Sequence, residues 1–178
     1  SMLSFALNRY FFGIEPFSFK LVNLLIHLAN GALVFLLLHQ LLRVYRQLHA
    51  PALTQRALNW LAFLVGTLWL VHPLNLTAVL YVVQRETALS ALFVLAGVNF
   101  YTWARLRQLN GLGTHWTLFP GTVIFGALAV LSKESGALMP CYMLAVEACL
   151  FQFRFPDSRA LWSITGYFTL FLLLPGLL

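Results

Sequence analysis

Charged residues are scarce in this sequence. Of its 178 residues, 9% are charged and 61% are hydrophobic, whereas about 25% of the residues in an average soluble domain are charged. A soluble chain of this length cannot bury so much apolar surface, because small globules leave a large fraction of their residues exposed. The composition argues against a soluble enzyme and a disordered tail, and it predicts a polytopic protein whose first partner is the lipid bilayer.

The basic residues form no run. The formal net charge is +6, which could suit a polyanion, but lysine and arginine are spread along the chain rather than gathered in one arm. A nucleic-acid-binding segment would concentrate them on one face or in one stretch. We therefore expect no nucleic-acid partner.

Cysteines and metal-binding motifs are also few. Cys141 and Cys149 are eight residues apart in one apolar segment, about 12 Å along a helix, which exceeds the reach of a disulfide. We expect two buried free thiols. The sequence has no CxxC, HExxH, P-loop or GxGxxG pattern, so it predicts no metal site and identifies no cofactor.

Long apolar runs predict the fold. A bilayer core of about 30 Å needs about 20 apolar residues in a helix. Six runs have about that length, and we label them predicted spans A to F: 21–42, 57–84, 87–104, 108–132, 135–153 and 160–178. Because Pro73 removes a backbone donor and restricts His72, span B is expected to end near Val71, and residues 74–84 to form a short surface helix. The predicted fold is an all-α transmembrane helix bundle with about six spans.

The distribution of basic residues predicts the orientation, since cytoplasmic loops are enriched in lysine and arginine. On one side of the predicted spans lie seven basic residues: Arg43, Arg46, Arg56, Arg105, Arg107, Arg154 and Arg159. On the opposite side lie four: Arg9, Lys20, Arg85 and Lys133. The first side is therefore predicted to be cytoplasmic, and the turns at 72–86 and 133–136 to share the outer face.

Two acid–base turns on the predicted outer face are candidates for a site. Charges at membrane depth are costly and mark either functional sites or buried pairs. An outward pocket containing Arg85, Lys133 and His72 would suit a phosphate, because arginine offers a bidentate fork and lysine a point charge. The neighbouring Gln84, Glu86 and Glu134 would support these groups. The alternative is that each pair only extends into the lipid headgroups.

Four polar residues fall inside the predicted spans. Asn23, His27 and Asn30 have the i, i+4, i+7 spacing that places them on one stripe of a helix. The stripe predicts either interhelical hydrogen bonds or a direct substrate contact, and we favour the hydrogen bonds. For Glu147 we favour structural pairing with a basic or polar group over a role in a relay.

Three segments, in order, resemble the multi-spanning GT-C glycosyltransferases. The first has Pro16-Phe17 followed by Asn23 and His27, similar to a "P-x-x-x-x-x-x-N-x-x-x-H" entry into a transmembrane helix. The second, similar to "HP…EAV…V…R", comprises His72-Pro73, Ala78-Val79, Val83 and Arg85. The third, similar to "SKE…P…E", comprises Ser132-Lys133-Glu134, Pro140 and Glu147. Together they resemble the branch that contains the transmembrane-and-TPR O-mannosyltransferases and their bacterial relatives. Thr77 departs from the pattern, which has an acid before Ala-Val.

The resemblance implies a function and a place for it. Such enzymes transfer a sugar from a polyprenyl-phosphate donor to a protein or glycolipid acceptor on the extracytoplasmic side of the membrane, here the periplasmic face of a bacterial inner membrane. Their catalytic acid lies in the first outer loop, before the segment matched here, so no catalytic residue is assigned. Residues 1–178 are accordingly expected to be one fragment of a GT-C-like membrane domain, with TPR repeats expected downstream.

Two other function classes are compatible with the residues themselves. A transporter would also carry polar side chains on helix faces, although no inverted repeat or matched pair of broken helices is evident. A non-catalytic membrane scaffold could use the same helices for packing against partners.

Overall fold

The computed structural model describes residues 2–13, 15–49, 51–52, 54–112, 115–154, 165–166 and 168–169. All regular elements within these ranges are helical, which confirms the predicted all-α class. The α-helices are α1 (Met2–Phe12), α2 (Pro16–Leu48), α3 (Gln55–Leu70), α4 (Leu76–Leu80), α5 (Arg85–Leu109), α6 (His115–Ser132) and α7 (Met139–Val146). Short 3₁₀ turns cover Pro73–Asn75, Val82–Gln84 and Glu134–Leu138, and a π-helical turn covers Glu147–Phe151.

The helices pack around α2 and α5. Helix α2 lies between α3 and α5, and α6 and α7 pack against α5. Interhelical hydrogen bonds give the directions: Asn30 reaches Ala88 and Gln40 reaches Asn99, so α2 and α5 are parallel. We call the end of the bundle at which both of these helices begin the Arg85 end. The core between α5, α6 and α7 includes Val98, Tyr101, Leu118, Met139 and Met143.

The described residues contain two or three candidate membrane spans, so they do not confirm the predicted count of about six. Two helical stretches are long and apolar enough to cross a bilayer, Pro16–Leu48 and Val82–Leu109. A third candidate is the pair Gln55–Leu70 and Pro73–Leu80, which is bent by 50° at Pro73. In α6 the apolar stretch Leu118–Ser132 is shorter, and span F lies almost wholly outside the described residues. The count of six stays a prediction.

Helices α2 and α5 extend beyond both predicted ends of spans A and C. Helix α2 continues to Leu48, past Arg43 and Arg46, and α5 continues to Leu109, past Arg105. Charged residues were taken as span ends, but arginine is a good helix former and its long side chain can leave the apolar region while the backbone stays helical. Helix α1 was not predicted at all.

Pro73 breaks the chain where expected. Helix α3 ends at Leu70, and His72 is extended at φ −62° and ψ 132° before a 3₁₀ turn begins. The segment 74–84 is not one surface helix, however. Tyr81 adopts an extended conformation (φ −92°, ψ 118°) between α4 and the 3₁₀ turn at Val82–Gln84, and this divides the segment in two.

The cysteine expectation was half correct. Cys141 and Cys149 are both free thiols, but both are exposed on the surface of the bundle rather than buried. An apolar surface is compatible with lipid, so a small apolar side chain in a membrane helix has no need to face the protein core.

The turn between α6 and α7 requires glycine at position 136. A Cβ added to Gly136 would overlap the backbone carbonyl of Ala129, and a backbone group cannot move aside as a side chain can. In contrast, a Cβ on Gly66 would meet the Phe35 Cβ at 3.4 Å, an ordinary contact.

Gly136→Ala is therefore expected to lower the free energy of unfolding by about 1–3 kcal/mol, as overpacking typically does. Gly66→Ala is the matched control and should leave stability nearly unchanged. Thermal unfolding of the intact protein in detergent measures both. Equal stability of the two variants would contradict the close approach at Gly136.

Candidate functional site

Arg85, the first residue of α5, is the most enclosed cation at its end of the bundle. Its side chain is completely buried. Nε donates to Asn23 Oδ1 at 2.8 Å, and Nη2 donates to Asn8 Oδ1 at 3.0 Å and to the Phe19 carbonyl at 2.9 Å. The guanidinium also lies between two rings, 4.8 Å from the centroid of Phe5 and 5.2 Å from that of Phe19. Arg85 thereby connects α1, α2 and α5.

This environment differs from the one predicted for Arg85. The sequence placed its guanidinium in an open pocket against a phosphate, or alternatively in a surface pair with Glu86. In the structure its partners are amide and carbonyl oxygens of the protein, and no ion pair joins it to Glu86 among the described residues. The physical reason is that α1 and α2 close over the start of α5, and neither could be placed there from the sequence.

The stripe on α2 makes the interhelical hydrogen bonds that we favoured. Asn23 Nδ2 donates to the Tyr81 carbonyl at 3.2 Å, His27 Nε2 donates to the Leu70 carbonyl at 2.9 Å, and Asn30 Nδ2 donates to the Ala88 carbonyl at 3.0 Å. All three acceptors are backbone oxygens at or near helix ends or at a break. The stripe therefore fixes the bent α3–α4 segment and the start of α5 against α2.

Lys133 is the candidate cation that stays accessible. It precedes the 3₁₀ turn at Glu134–Leu138, its side chain is only partly buried, and its Nζ donates to Thr87 Oγ1 at 2.8 Å. This bond brings the 133–136 turn to the first turn of α5, one residue beyond Glu86. Lys133 therefore contacts the residue just after the predicted 72–86 turn, and not the enclosed guanidinium of Arg85.

An apolar cleft is lined in part by Thr87, the hydrogen-bond partner of Lys133. It has a volume of about 500 Å³ and lies between α2, α5 and α7, with one wall residue from α3. Four of its lining side chains carry a hydroxyl group: Thr87, Ser90, Ser135 and Tyr142. The other lining residues are Val34, Leu37, Trp69, Ala91, Val94, Leu95, Val98, Leu138, Ala145 and Val146.

His72 lies in a different cavity from the cleft. That cavity has a volume of about 420 Å³ and is lined by His72, His27, Asn75 and apolar residues of α2, α3 and α4. The exposed ring of His72 accepts a hydrogen bond at Nδ1 from the Leu74 amide at 3.3 Å. The structure therefore separates His72 from Lys133 rather than joining them in one pocket.

The three supporting residues do not orient the cations. Gln84 and Glu134 are exposed and Glu86 is partly buried. Across the described ranges, no side-chain hydrogen bond connects any of them to Arg85 or Lys133. Those ranges also contain no group of histidine, cysteine and acidic side chains able to hold a metal ion.

Glu147 forms a buried ion pair at the opposite end of α5. Its Oε1 lies 2.6 Å from Arg105 Nη2 and its Oε2 lies 2.9 Å from Arg105 Nε. The hydroxyl of Tyr101 donates to Oε2 at 2.7 Å. Both charged side chains are fully buried, so the expected structural pairing of Glu147 is confirmed.

Sequence reasoning assigned Arg105 to a loop and missed its partner. Arg105 and Glu147 are 42 residues apart, on α5 and at the end of α7, and no spacing rule links such positions. The sequence signal that could have found the pair is that each residue is a charge in or next to an apolar run.

The burial of two arginines does not change the predicted orientation. Without Arg85 and Arg105, the count of basic residues on the two sides of the predicted spans changes from seven against four to six against three, so the excess stays on the same side.

Comparison with known proteins identifies relatives of one kind. Protein O-mannosyl-transferase Tmtc2 of Drosophila melanogaster is 32% identical over 149 residues, which cover 82% of this chain and 14% of the relative. Protein O-mannosyl-transferase Tmtc3 of Drosophila melanogaster is 33% identical over 147 residues, covering 76% and 15%. The human protein O-mannosyl-transferase TMTC3 is 28% identical over 136 residues, covering 76% and 13%.

The similarity covers most of this chain and a small part of each relative. The chain spans 13–15% of the length of these curated relatives. No family model matches the sequence, and no solved structure matches it. The resemblance to the transmembrane-and-TPR O-mannosyltransferases is confirmed by the curated relatives.

Replacement of Arg85 by alanine should destabilise the bundle. Arg85→Ala leaves the amide oxygens of Asn8 and Asn23 without their donor, and hydrogen bonds to a charged group contribute about 1.5–3 kcal/mol each. We expect the free energy of unfolding to fall by about 3 kcal/mol or more, measured by thermal unfolding in detergent. Arg9→Ala, which removes an exposed arginine of α1, is the control. Equal unfolding temperatures for the two variants would show that the hydrogen bonds of Arg85 do not stabilise the packing of α1, α2 and α5.

Proposed function

Starting from its homology to protein O-mannosyl-transferases, we propose that this chain forms part of the membrane domain of a glycosyltransferase. The reaction proposed is transfer of a sugar, mannose by analogy with the relatives, from a polyprenyl-phosphate donor to a protein acceptor. A glycolipid is the alternative acceptor. The catalytic acid is assigned to no residue of this chain.

The observation that carries the proposal is the position of Lys133. A polyprenyl phosphate has an anionic head and a long apolar chain, so its site needs a cation beside apolar surface. Lys133 is partly buried, and its ammonium donates a hydrogen bond to Thr87, a residue that lines the apolar cleft. Lysine interacts with phosphate as a compact point charge. Lys133 thus offers the donor a head-group contact next to a residue of an apolar surface.

The chemistry of the reaction gives Lys133 its role. When the sugar leaves, negative charge develops on the phosphate, and a cation placed in advance beside that oxygen stabilises the transition state more than the ground state. Thr87 positions the ammonium through the 2.8 Å hydrogen bond. Arg85, two residues earlier, is a positioning residue: it fixes the first turn of α5, on which Thr87 lies.

The proposed site faces the extracytoplasmic side of the membrane. The support is the excess of basic residues on the opposite side of the predicted spans, which persists without the buried Arg85 and Arg105. In a bacterium this side would be the periplasmic face of the inner membrane, whereas the relatives named above are animal proteins.

Lys133→Ala tests the proposal in the intact protein. Loss of one preorganised group that stabilises developing charge typically costs about 100- to 1,000-fold in rate. We expect a loss of that size in kcat for transfer from a polyprenyl-phosphate sugar, with the unfolding temperature nearly unchanged because the ammonium makes one described hydrogen bond. The control Lys20→Ala removes an exposed lysine at the same end of the bundle.

The transfer rates of the two lysine variants are compared with that of the wild type. Near-normal transfer by Lys20→Ala with a large loss in Lys133→Ala supports the proposal. Transfer at the wild-type rate by Lys133→Ala would show that the phosphate is bound elsewhere.

A further inference from the structure

We propose that the surface formed by α2 and α3, at the end of the bundle opposite Arg85, binds the head group of an anionic phospholipid. The inference is independent of the proposed function, and none of the residues that carry it lines the apolar cleft. The name α2–α3 patch is used for these residues: His39, Arg43, Gln55, Arg56 and Asn59.

The patch forms because α2 and α3 are antiparallel. In the first half of α2, His27 Nε2 contacts the carbonyl of Leu70, the last residue of α3, at 2.9 Å. In the second half of α2, His39 Nε2 contacts Asn59 Oδ1, near the start of α3, at 3.1 Å. The beginning of α3 therefore lies beside the later turns of α2.

Both arginines of the patch are exposed and lie close to the contact between His39 and Asn59. Arg43 follows His39 by four residues, and Arg56 precedes Asn59 by three. Residues at these spacings are neighbours on one face of a helix. The two guanidinium groups therefore flank one interhelical contact, from α2 and from α3.

The hydrogen bonds within the patch leave N–H donors free. Gln55 Nε2 donates to Asn59 Oδ1 at 2.8 Å, on the oxygen that His39 also contacts. Within the part of the chain that the structure describes, Asn59 Nδ2 and the side chains of Arg43 and Arg56 make no hydrogen bond. A phosphodiester offers acceptor oxygens, which arginine binds through its fork of donors. The patch therefore offers the donors that a phosphate group needs.

No carboxylate of α2 or α3 neutralises the patch. The sequence contains no aspartate or glutamate between Glu15 and Glu86. Among the described residues one ion pair is formed, between Arg105 and Glu147, and its carboxylate is fully buried. The positive charge of the patch is therefore available to an anionic ligand.

The apolar surface beside the patch indicates a lipid rather than a free phosphate ion. Leu36, seven residues before Arg43 on α2, is 46% exposed. Phe63, four residues after Asn59 on α3, is 53% exposed and packs edge-on against the exposed ring of Trp60. These spacings place both side chains on the helix faces of the patch, and tryptophan is enriched at membrane interfaces. A phospholipid bound by its head group would lay its acyl chains on this surface.

The predicted orientation agrees with this ligand. The excess of basic residues predicts that this end of the bundle is cytoplasmic. Anionic lipids give the cytoplasmic leaflet a negative surface potential that attracts lysine and arginine near the surface. The ligand proposed is therefore an anionic phospholipid of the surrounding bilayer, and the competing occupant is another protein segment packed on the patch.

Two double variants of the intact protein test the inference. Arg43→Gln/Arg56→Gln removes the charges of the patch, whereas the control Arg9→Gln/Lys20→Gln removes two exposed charges at the Arg85 end and changes the net charge equally. Binding of phosphatidylglycerol and of phosphatidylcholine to the protein in detergent is measured by native mass spectrometry. We expect the wild type to prefer phosphatidylglycerol. The patch variant should raise the Kd for phosphatidylglycerol about tenfold, and the control should behave as the wild type.

Three results would overturn the inference. The first is equal affinity of the wild type for the two lipids, and the second is an equal loss of phosphatidylglycerol binding in both double variants, which would show an effect of net charge alone. The third is unchanged phosphatidylglycerol binding by Arg43→Gln/Arg56→Gln with a lowered unfolding temperature in the absence of lipid, which would show that protein covers the patch. None of these measurements needs sugar transfer, so their failure is distinct from failure of the proposed function.

Discussion

The buried guanidinium of Arg85 connects three helices, α1, α2 and α5, at the Arg85 end of the bundle. A cation removed from water must be surrounded by hydrogen-bond acceptors, because an unpaired buried charge costs several kcal/mol. Here the acceptors come from α1 and α2: the amide oxygens of Asn8 and Asn23 and the carbonyl of Phe19. Satisfying one charge therefore fixes the relative positions of α1, α2 and α5. The first turn of α5 then holds Thr87 where Lys133 can reach it.

Arginines stabilise α5 at both ends, but with different partners. Near the end of α5, Arg105 pairs with the carboxylate of Glu147, which also accepts from Tyr101. Arg85, at its start, is surrounded by neutral oxygens and two aromatic rings. The charges of Arg105 and Glu147 cancel, whereas the positive charge of Arg85 is surrounded by neutral hydrogen-bond acceptors and has no carboxylate partner among the described residues. That charge lies at the same end of the bundle as Lys133, which agrees with an anionic ligand binding there.

Local rules predicted part of this arrangement and long-range contacts explain the remainder. The break at Pro73 follows from the missing backbone donor, and the pairing of the stripe on α2 follows from helical spacing in an apolar setting. The structural role of Glu147 follows from the cost of an isolated charge. The partners of Arg85 could not be predicted, since Asn8 and Asn23 are 77 and 62 residues away in sequence. Arg105 was misplaced for a related reason: a charge at the end of an apolar run was treated as a loop residue, although the helix continues through it. The apolar cleft has no sequence signature, because its lining comes from several helices.

The proposed function depends on phosphate binding by Lys133. A cryo-electron microscopy structure of the intact protein with a bound polyprenyl phosphate would test this role. We predict a phosphate oxygen about 2.7–3.2 Å from Lys133 Nζ. Density for the phosphate in the cavity beside His72, away from Lys133, would contradict it.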